Sequence, residues 1–160
     1  MTGKTHIIGG LTASLAYAQF TSYDPVLLVG AGVIGALLPD ICHGGSKIGR
    51  TFPLISKLIN VIFGHRSFTH SLLFLLIISL LLKSFVTNEA VTEGILIGMV
   101  SHLVLDMMTR NGIKLLFPFK IRVRFPLTTR TGGTVESLVF AALSVLTVYF
   151  GYEAFGVYLQ

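Results

Sequence analysis

The chain is short of charge, and this shortage is the first constraint on its class. Only 12% of its 160 residues are charged and only 7 are Asp or Glu, whereas 52% are hydrophobic. Soluble domains carry about 25% charged residues. Together with a mean hydropathy of +0.80, this composition argues against an ordinary water-soluble surface. It predicts one membrane-embedded domain covering residues 1–160.

Several signatures of other protein classes are also missing. Cys42 is the single cysteine, so no intramolecular disulfide can form. The chain has no Gly-x-Ser-x-Gly elbow, which disfavours a covalent serine nucleophile, and no glycine-rich loop with P-loop spacing. The first apolar stretch is not followed by a small-residue cleavage site and a soluble region, so we expect no cleavable signal peptide.

Five apolar segments dominate what remains, and they predict an all-α membrane protein. They cover residues 5–20, 25–38, 68–86, 94–108 and 135–158. The first two are shorter than the roughly 20 residues that a spanning helix needs, but their glycines allow close packing against other helices. We therefore predict a compact bundle of about five transmembrane helices. Leu54, Leu58 and Ile62 recur at helical spacing within residues 41–64 and predict an amphipathic helix in the cytoplasmic-side interface.

The basic residues are distributed asymmetrically among the connections. Eleven of the 12 Lys and Arg residues precede odd segments or follow even ones, and only Lys83 lies at the other end. By the positive-inside rule this places the N-terminus and the basic connections on the cytoplasmic side of the membrane. The same distribution argues against nucleic acid as the partner, despite the net charge of +5, and favours membrane lipids.

The residues capable of chemistry lie at segment ends, and segment alternation brings all of these ends to one face. This group contains four histidines and three carboxylates: His6, Asp40, His65, His70, His102, Asp106 and Glu136. Mixed His and Asp donors without cysteine suit zinc, manganese or iron, bound as one or two divalent ions. The arrangement predicts a metal centre beside the lipid headgroups.

Each element of this group also has a plainer interpretation. His102 and Asp106 are spaced i, i+4 and share a helix face, but such a pair can simply stabilise packing. His65 and His70 flank a polar run that can be an ordinary helix start, with His70 one turn inside the helix. His6 alone is more often structural than a ligand. Ionisable groups within a membrane nevertheless usually mark function.

Three further residues are candidates for catalysis or substrate binding. Arg66 offers a bidentate fork to a phosphate oxygen, and Arg130 precedes a Gly132-Gly133 turn whose N–H groups can face an anion. Glu136 is a candidate general base or extra ligand. Its competing role is a favourable negative charge at a helix N-terminus, worth about 0.3–1 kcal/mol.

The order of these motifs resembles a known family. Thr5-His6, Leu38-Pro39-Asp40, the run from His65 to Ser71, His102-x-x-x-Asp106, Arg130-Thr131-Gly132 and Glu136 resemble the YdjM-type bacterial inner-membrane proteins, described as LexA-regulated, metal-dependent hydrolases. The resemblance spans nearly the whole chain. It implies His6, Asp40, His65, His70, His102 and Asp106 as metal ligands. The family is itself distantly similar to zinc-dependent phospholipase C and P1 nuclease, which implies phosphoester substrates.

One position departs from the family pattern. A second acid is expected two residues after Asp40, but position 42 is cysteine. Either a ligand is missing, leaving a weaker or single-metal site, or His43 replaces it. We expect hydrolysis of a phosphate ester in a phospholipid or lipid-linked phosphate. The alternatives are a metal or proton transporter, which usually carries its ionisable groups near mid-membrane, and a non-catalytic membrane protein with a structural metal.

Overall fold

A computed structural model describes residues 1–63 and 67–156, and this part of the chain is helical without a β-strand. Its seven α-helices, in chain order, are α1 (Gly3–Ala18), α2 (Pro25–Leu37), α3 (Lys47–Thr51), α4 (Pro53–Phe63), α5 (Leu72–Phe85), α6 (Glu89–Met107) and α7 (Thr134–Gly156). Short 3-10 turns occupy Leu38–Cys42 and Phe68–His70. The predicted all-α class is confirmed for the described residues.

Three helical stretches are long and apolar enough to cross a membrane: Pro25–Cys42, Glu89–Met107 and Thr134–Gly156. The expected count of five crossings is not supported. The first segment forms a helix of 16 residues and the third a helix of only 14, and both fall short of the roughly 20 residues of a spanning helix. The helix in the third segment is shorter than the apolar run because residues 67–71 form a polar turn before it.

The helix starts follow from local capping chemistry. Asp24 accepts a hydrogen bond from the Leu27 amide at 2.9 Å, and Pro25 occupies the first turn of α2, where its missing N–H costs nothing. Asn88 accepts from the Val91 amide at 3.1 Å at the start of α6. Because these caps satisfy amides that a helix leaves unpaired, they define where each helix begins.

Helices α2 and α6 pack at unusually short range through glycine. A Cβ atom at Gly98 would overlap the carbonyl oxygen of Gly32, and one at Gly35 would overlap that of Ile95. Small residues four apart allow such close approach of membrane helices. Helix α1 packs against α2, α6 and α7. The ends of α2 and α6 therefore meet the starts of α1 and α7 at one end of the bundle.

The two connections at this end carry exposed apolar side chains. The predicted amphipathic helix is present as α4, where Leu54, Leu58 and Val61 are exposed. Between α6 and α7 the chain folds back through two isolated bridges, Thr109–Thr129 and Ile113–Val123. Their apolar exposure is compatible with lipid contact, and their placement in the membrane interface stays a prediction.

Replacing Gly98 with valine is expected to lower the free energy of unfolding by about 1–3 kcal/mol, because the added side chain would force α2 and α6 apart. Unfolding can be followed with a dye that reacts with exposed thiols, since Cys42 is the single cysteine and is fully buried in the folded protein. Gly30→Val is the matched control, because nothing lies within 4 Å of a Cβ atom there. Equal unfolding temperatures for the two variants would contradict the packing described here.

Candidate metal centre

Five of the seven predicted donors meet at the end of the bundle where α1 begins and α6 ends. Among the described residues, two groups of side chains are close enough to hold a metal ion: His6 with Asp40 and His102, and His70 with His102 and Asp106. Donor atoms within each group lie within 4.8 Å of one another. Because the two groups share His102, they form a single cluster, which we call the His/Asp cluster.

The imidazole nitrogens of the His/Asp cluster lie close to its carboxylates and to each other. His70 Nε2 lies 3.6 Å from Asp40 Oδ1 and 3.5 Å from Asp106 Oδ2. His102 Nε2 lies 3.8 Å from an oxygen of each of the same two carboxylates. The Nε2 atoms of His70 and His102 are only 3.2 Å apart. Four donors therefore surround one small space.

The orientation of His102 is set by a backbone carbonyl on the neighbouring helix. Its Nδ1–H donates a hydrogen bond to the Ala36 carbonyl oxygen at 2.6 Å. A carbonyl can only accept, so Nδ1 carries a proton, and in the neutral ring the lone pair lies on Nε2. Metal-binding histidines commonly have such a partner, which fixes the tautomer and the ring plane. The close α2–α6 packing at Gly98 makes this contact possible.

His70 lies before α5 rather than one turn inside it, because the helix begins only at Leu72. The Thr69 hydroxyl lies 3.1 Å from His70 Nδ1, and the Ser71 hydroxyl accepts from the Phe74 amide at 3.2 Å to cap the helix. The Thr69 hydroxyl is therefore placed to orient the His70 ring, whereas the Ser71 hydroxyl caps α5.

His6 completes the cluster from the first turns of α1. Its ring stacks on that of His102, with centroids 3.7 Å apart and planes at 12°. It is 1% exposed, and neither of its ring nitrogens makes a hydrogen bond with a described residue, although Nε2 lies 3.3 Å from Asp106 Oδ1. Buried polar groups normally find partners. A cation in the cluster would supply the missing one.

Positive charge already gathers around the two carboxylates. The Met1 ammonium group lies directly against Asp106. Burial lowers the pKa of His70, but hydrogen bonds to Asp106 and Asp40 outweigh burial and raise this pKa to about 10. Both features show that the two carboxylates attract positive charge, and a metal ion bound by His70 would have to replace the proton on its ring. Imidazole and carboxylate are also the donors that zinc, manganese and iron accept, so the donor set fits a divalent metal.

Access to the cluster is one-sided. His70, His102 and Asp106 are fully buried, whereas the Asp40 side chain is 16% exposed. Asp40 therefore marks the side from which solvent or a ligand reaches the donors.

Glu136 lies beside the His/Asp cluster but is absent from both donor groups. Its Oε1 accepts from the Thr2 amide, the Thr2 hydroxyl and the Thr5 hydroxyl at 2.6–2.7 Å, and its Oε2 accepts from the Gly132 amide at 2.7 Å. These bonds tie the start of α1 to the start of α7. The structure thus favours the helix-start role over the ligand or general-base role that the sequence also allowed.

The remaining predicted site residues fall into two sets. His65 and Arg66 lie outside the described residues. Arg130 lines a polar cavity of 310 Å³ together with Thr109, Arg110 and Asn111, and the Thr109 hydroxyl donates to the Asp106 carbonyl oxygen at 2.7 Å. This cavity thus adjoins the cluster through Thr109.

The structure differs from the sequence-based expectation at residues 42 and 43. His43 is exposed and belongs to neither donor group, which argues against it as the substitute ligand. Cys42 is instead fully buried and hydrogen-bonded to His70. The Ala36 carbonyl was also missed, since a backbone acceptor leaves no trace in residue identity. The only sequence feature that pointed to Cys42 as a neighbour of the site was its presence where the family pattern has a second acid.

Comparison with known proteins places this geometry in a wider group. The family model described as YdjM inner membrane protein matches residues 1–158. The protein YvsG of Bacillus subtilis (strain 168) is 52% identical over 155 residues, which cover 97% of each chain. Inner membrane protein YdjM of Escherichia coli (strain K12) is 35% identical over 163 residues, covering 93% of this chain and 82% of that one. No solved structure matches the chain.

Proposed function

Since the chain belongs to the YdjM family of inner membrane proteins, we propose that it is a membrane-embedded hydrolase. The proposed reaction is metal-dependent cleavage of a phosphate ester in a phospholipid or lipid-linked phosphate. The water oxygen forms a new bond to phosphorus while the ester P–O bond breaks, and the leaving alcohol takes up a proton.

The observation that carries this proposal is the convergence of five buried or half-buried donors on one space. Three histidines and two carboxylates from four parts of the chain lie within 3.2–3.8 Å of a neighbouring donor. Packing alone does not require two carboxylates and three imidazoles in contact, because buried charge is costly unless it is balanced. The Met1 ammonium group lies against Asp106, and a divalent ion would balance the remaining negative charge of the cluster.

The chain's own residues then have distinct roles. A divalent cation supplies Lewis acidity toward a phosphoryl oxygen. His6, Asp40, His70, His102 and Asp106 hold it, with His102 Nε2 presented by the Ala36 carbonyl. Asp40, on the open side, would hold the ion through one carboxylate oxygen, and we assign its other oxygen to receive a proton from the attacking water. Glu136 is not assigned this task because four donors already engage it.

A basic cavity next to the cluster supports a phosphate-bearing substrate. Arg110 and Arg130 line the 310 Å³ cavity beside Thr109, and arginine binds phosphate oxygens bidentately. We assign Arg130, with Arg110, to hold the phosphate group while the ester lies against the cluster.

Orientation follows from charge. Of the 11 basic residues that the structure describes, ten lie at the cluster end of the helices, so we infer that this end faces the cytoplasm. A site at that depth can accept a phospholipid headgroup from the inner leaflet without extracting the lipid.

The direct test is metal analysis followed by an activity screen. We expect the purified protein to contain one or two equivalents of zinc, manganese or iron, and the metal-loaded protein to release phosphate or a phosphorylated headgroup from vesicles of phospholipid or polyprenyl phosphate. Absence of stoichiometric metal, or absence of release with each of the three metals, would refute the proposal.

A structural metal is the second candidate function, and the burial of the donors favours it. Three of the five donors are fully shielded from solvent, as is usual for closed structural sites, whereas catalytic sites keep an open coordination position. This candidate requires metal-dependent stability without turnover of any phosphoester.

Glu136→Gln is expected to leave the metal content unchanged, because Glu136 contacts hydroxyl and amide donors rather than the cluster. The amide keeps one acceptor oxygen but loses the second, so we expect the unfolding temperature to fall by a few degrees, corresponding to about 1–3 kcal/mol for an unsatisfied buried donor. Metal analysis and dye-monitored melting measure the two effects separately. Loss of metal from this variant would contradict the prediction and would indicate that Glu136 is a metal ligand.

A further inference from the structure

A long apolar groove runs along the bundle between α1, α6 and α7, away from the donors themselves. Its volume is 540 Å³, within the roughly 300–1,000 Å³ typical of ligand pockets. Ala13 and Ala16 of α1, Val100 and Val104 of α6 and Leu143 of α7 line it. The small alanines on α1 leave the space that the larger residues on α6 and α7 border.

The groove has the length of one lipid leaflet. It extends along α6 from Leu105 to Glu93, a separation of 12 residues that corresponds to about 18 Å of helix. The hydrocarbon core of a bilayer is about 30 Å thick, so one leaflet supplies roughly half of that. An extended hydrocarbon chain lying parallel to the helices therefore fits the groove from end to end.

Apart from Glu93 at the far end, the polar side chains that border the groove are hydrogen-bonded within the protein. The Thr12 hydroxyl is bonded to the Ile8 carbonyl at 2.8 Å and to Thr147 at 2.7 Å. The Ser101 hydroxyl donates to the Gly98 carbonyl at 2.8 Å. With these groups satisfied inside the protein, the groove offers an apolar surface to whatever fills it.

One end of the groove lies at the end of the bundle that carries the His/Asp cluster, although none of the cluster's donors lines it. Gly9 and Leu105 line this end. Gly9 lies one turn after His6, and Leu105 immediately precedes Asp106. The same end of the bundle carries Arg110 and Arg130, so an apolar chain in the groove would emerge beside cationic groups. An apolar groove followed by positive charge complements a phospholipid, in which glycerol links the acyl chains to an anionic phosphate ester.

We propose that the α1–α6–α7 groove binds one acyl chain of a bilayer phospholipid, with the phosphate ester held at the end of the bundle that carries the His/Asp cluster, Arg110 and Arg130. This inference rests on the proposed hydrolase function and narrows its substrate to a diacyl phospholipid.

Photo-crosslinking tests the groove without relying on turnover. The probe is phosphatidic acid with a diazirine midway along one acyl chain, incorporated into vesicles with the purified protein. We expect the label on peptides of α1 and α6 that contain Ala13, Ala16, Val100 or Val104. Labelling spread over the exposed face of α7, with no preference for these peptides, would overturn the proposal.

Substitutions that fill the groove provide the second arm. Ala13→Phe and Ala16→Phe are expected to reduce labelling at least fivefold, since the ring would occupy the chain's position. Ala141→Phe is the matched control, because Ala141 is exposed on α7 and does not line the groove. Dye-monitored melting establishes which variants fold. If neither groove variant folds, the positions of the crosslinked peptides in the wild-type protein still test the proposal. Equal labelling of folded Ala16→Phe and Ala141→Phe would contradict the assignment.

The two proposals fail in distinguishable ways. Groove-specific labelling without hydrolysis by the metal-loaded protein refutes the hydrolase and leaves the lipid site intact. Hydrolysis of a water-soluble phosphoester with labelling at random positions refutes the groove and leaves the hydrolase intact.

Discussion

Asp106→Asn is expected to abolish stoichiometric metal binding and to reduce phosphoester hydrolysis more than about a hundredfold. Loss of a residue that merely orients a metal ligand typically lowers affinity or activity 10–100-fold, and Asp106 contacts His6 and His70 directly. The amide cannot supply the negative charge that offsets a divalent ion. Metal content by elemental analysis and initial rates on phospholipid vesicles measure the two losses.

Asp24→Asn is the matched control for this substitution. Asp24 is exposed, caps α2 at the opposite end of the bundle, and an asparagine caps a helix equally well. We expect wild-type metal content and rate from it. If Asp106→Asn keeps its metal and its rate, the cluster is not a metal centre. If it loses metal while the wild type shows no turnover, the structural-metal candidate is the correct one.

Removal of the metal is expected to cause the largest change in stability. An ion that binds only the folded state stabilises it by RT ln(1 + [L]/Kd), or about 4 kcal/mol at a thousandfold excess over Kd. Chelation also leaves two carboxylates and three imidazoles packed together without a divalent ion. We therefore expect the wild-type unfolding temperature in detergent to fall by several degrees after chelation and to recover when zinc is restored.

The Asp106→Asn variant provides the control for chelation. Because it is expected to hold no metal, its unfolding temperature should not respond to chelator or to added zinc. A wild-type protein that melts at the same temperature with and without chelator would show that no metal contributes to its fold. A response of equal size in both proteins would assign the effect to metal bound elsewhere.

The helices could be predicted well because their signals are local. Apolar runs bounded by caps and prolines predicted α2 from Pro25 and α7 from residue 135, within one residue of the structure in each case. The start of α6 was predicted wrongly: the apolar run begins at residue 94, whereas the helix begins at Glu89 after the Asn88 cap. The length of α5 could not be predicted in this way. Phe68 is as apolar as the helix that follows, but the 3-10 turn at Phe68–His70 and the Ser71 cap delay the helix start to Leu72.

The sequence predicted which residues gather at one end of the bundle, but it did not predict which acids contact the histidines. Segment alternation brings His6, Asp40, His70, His102 and Asp106 to one end of the bundle, because each lies at the end of its segment. Glu136 obeys the same rule, yet Thr2, Thr5 and Gly132 engage its carboxylate. Which acid faces the histidines depends on rotation of α7 against α1, and single-sequence patterns do not report that rotation.

The sequence by itself determined the membrane class, the helical segments and the end of the bundle at which the ionisable residues gather. Composition and the spacing of apolar residues are properties of short stretches, so each stretch carries its own evidence. Only the tertiary structure decided that the Ala36 carbonyl sets the His102 tautomer, that Cys42 rather than His43 adjoins His70, and that α1, α6 and α7 border an apolar groove. These features depend on the distance between helices far apart in sequence, and glycine contacts between α2 and α6 set that distance.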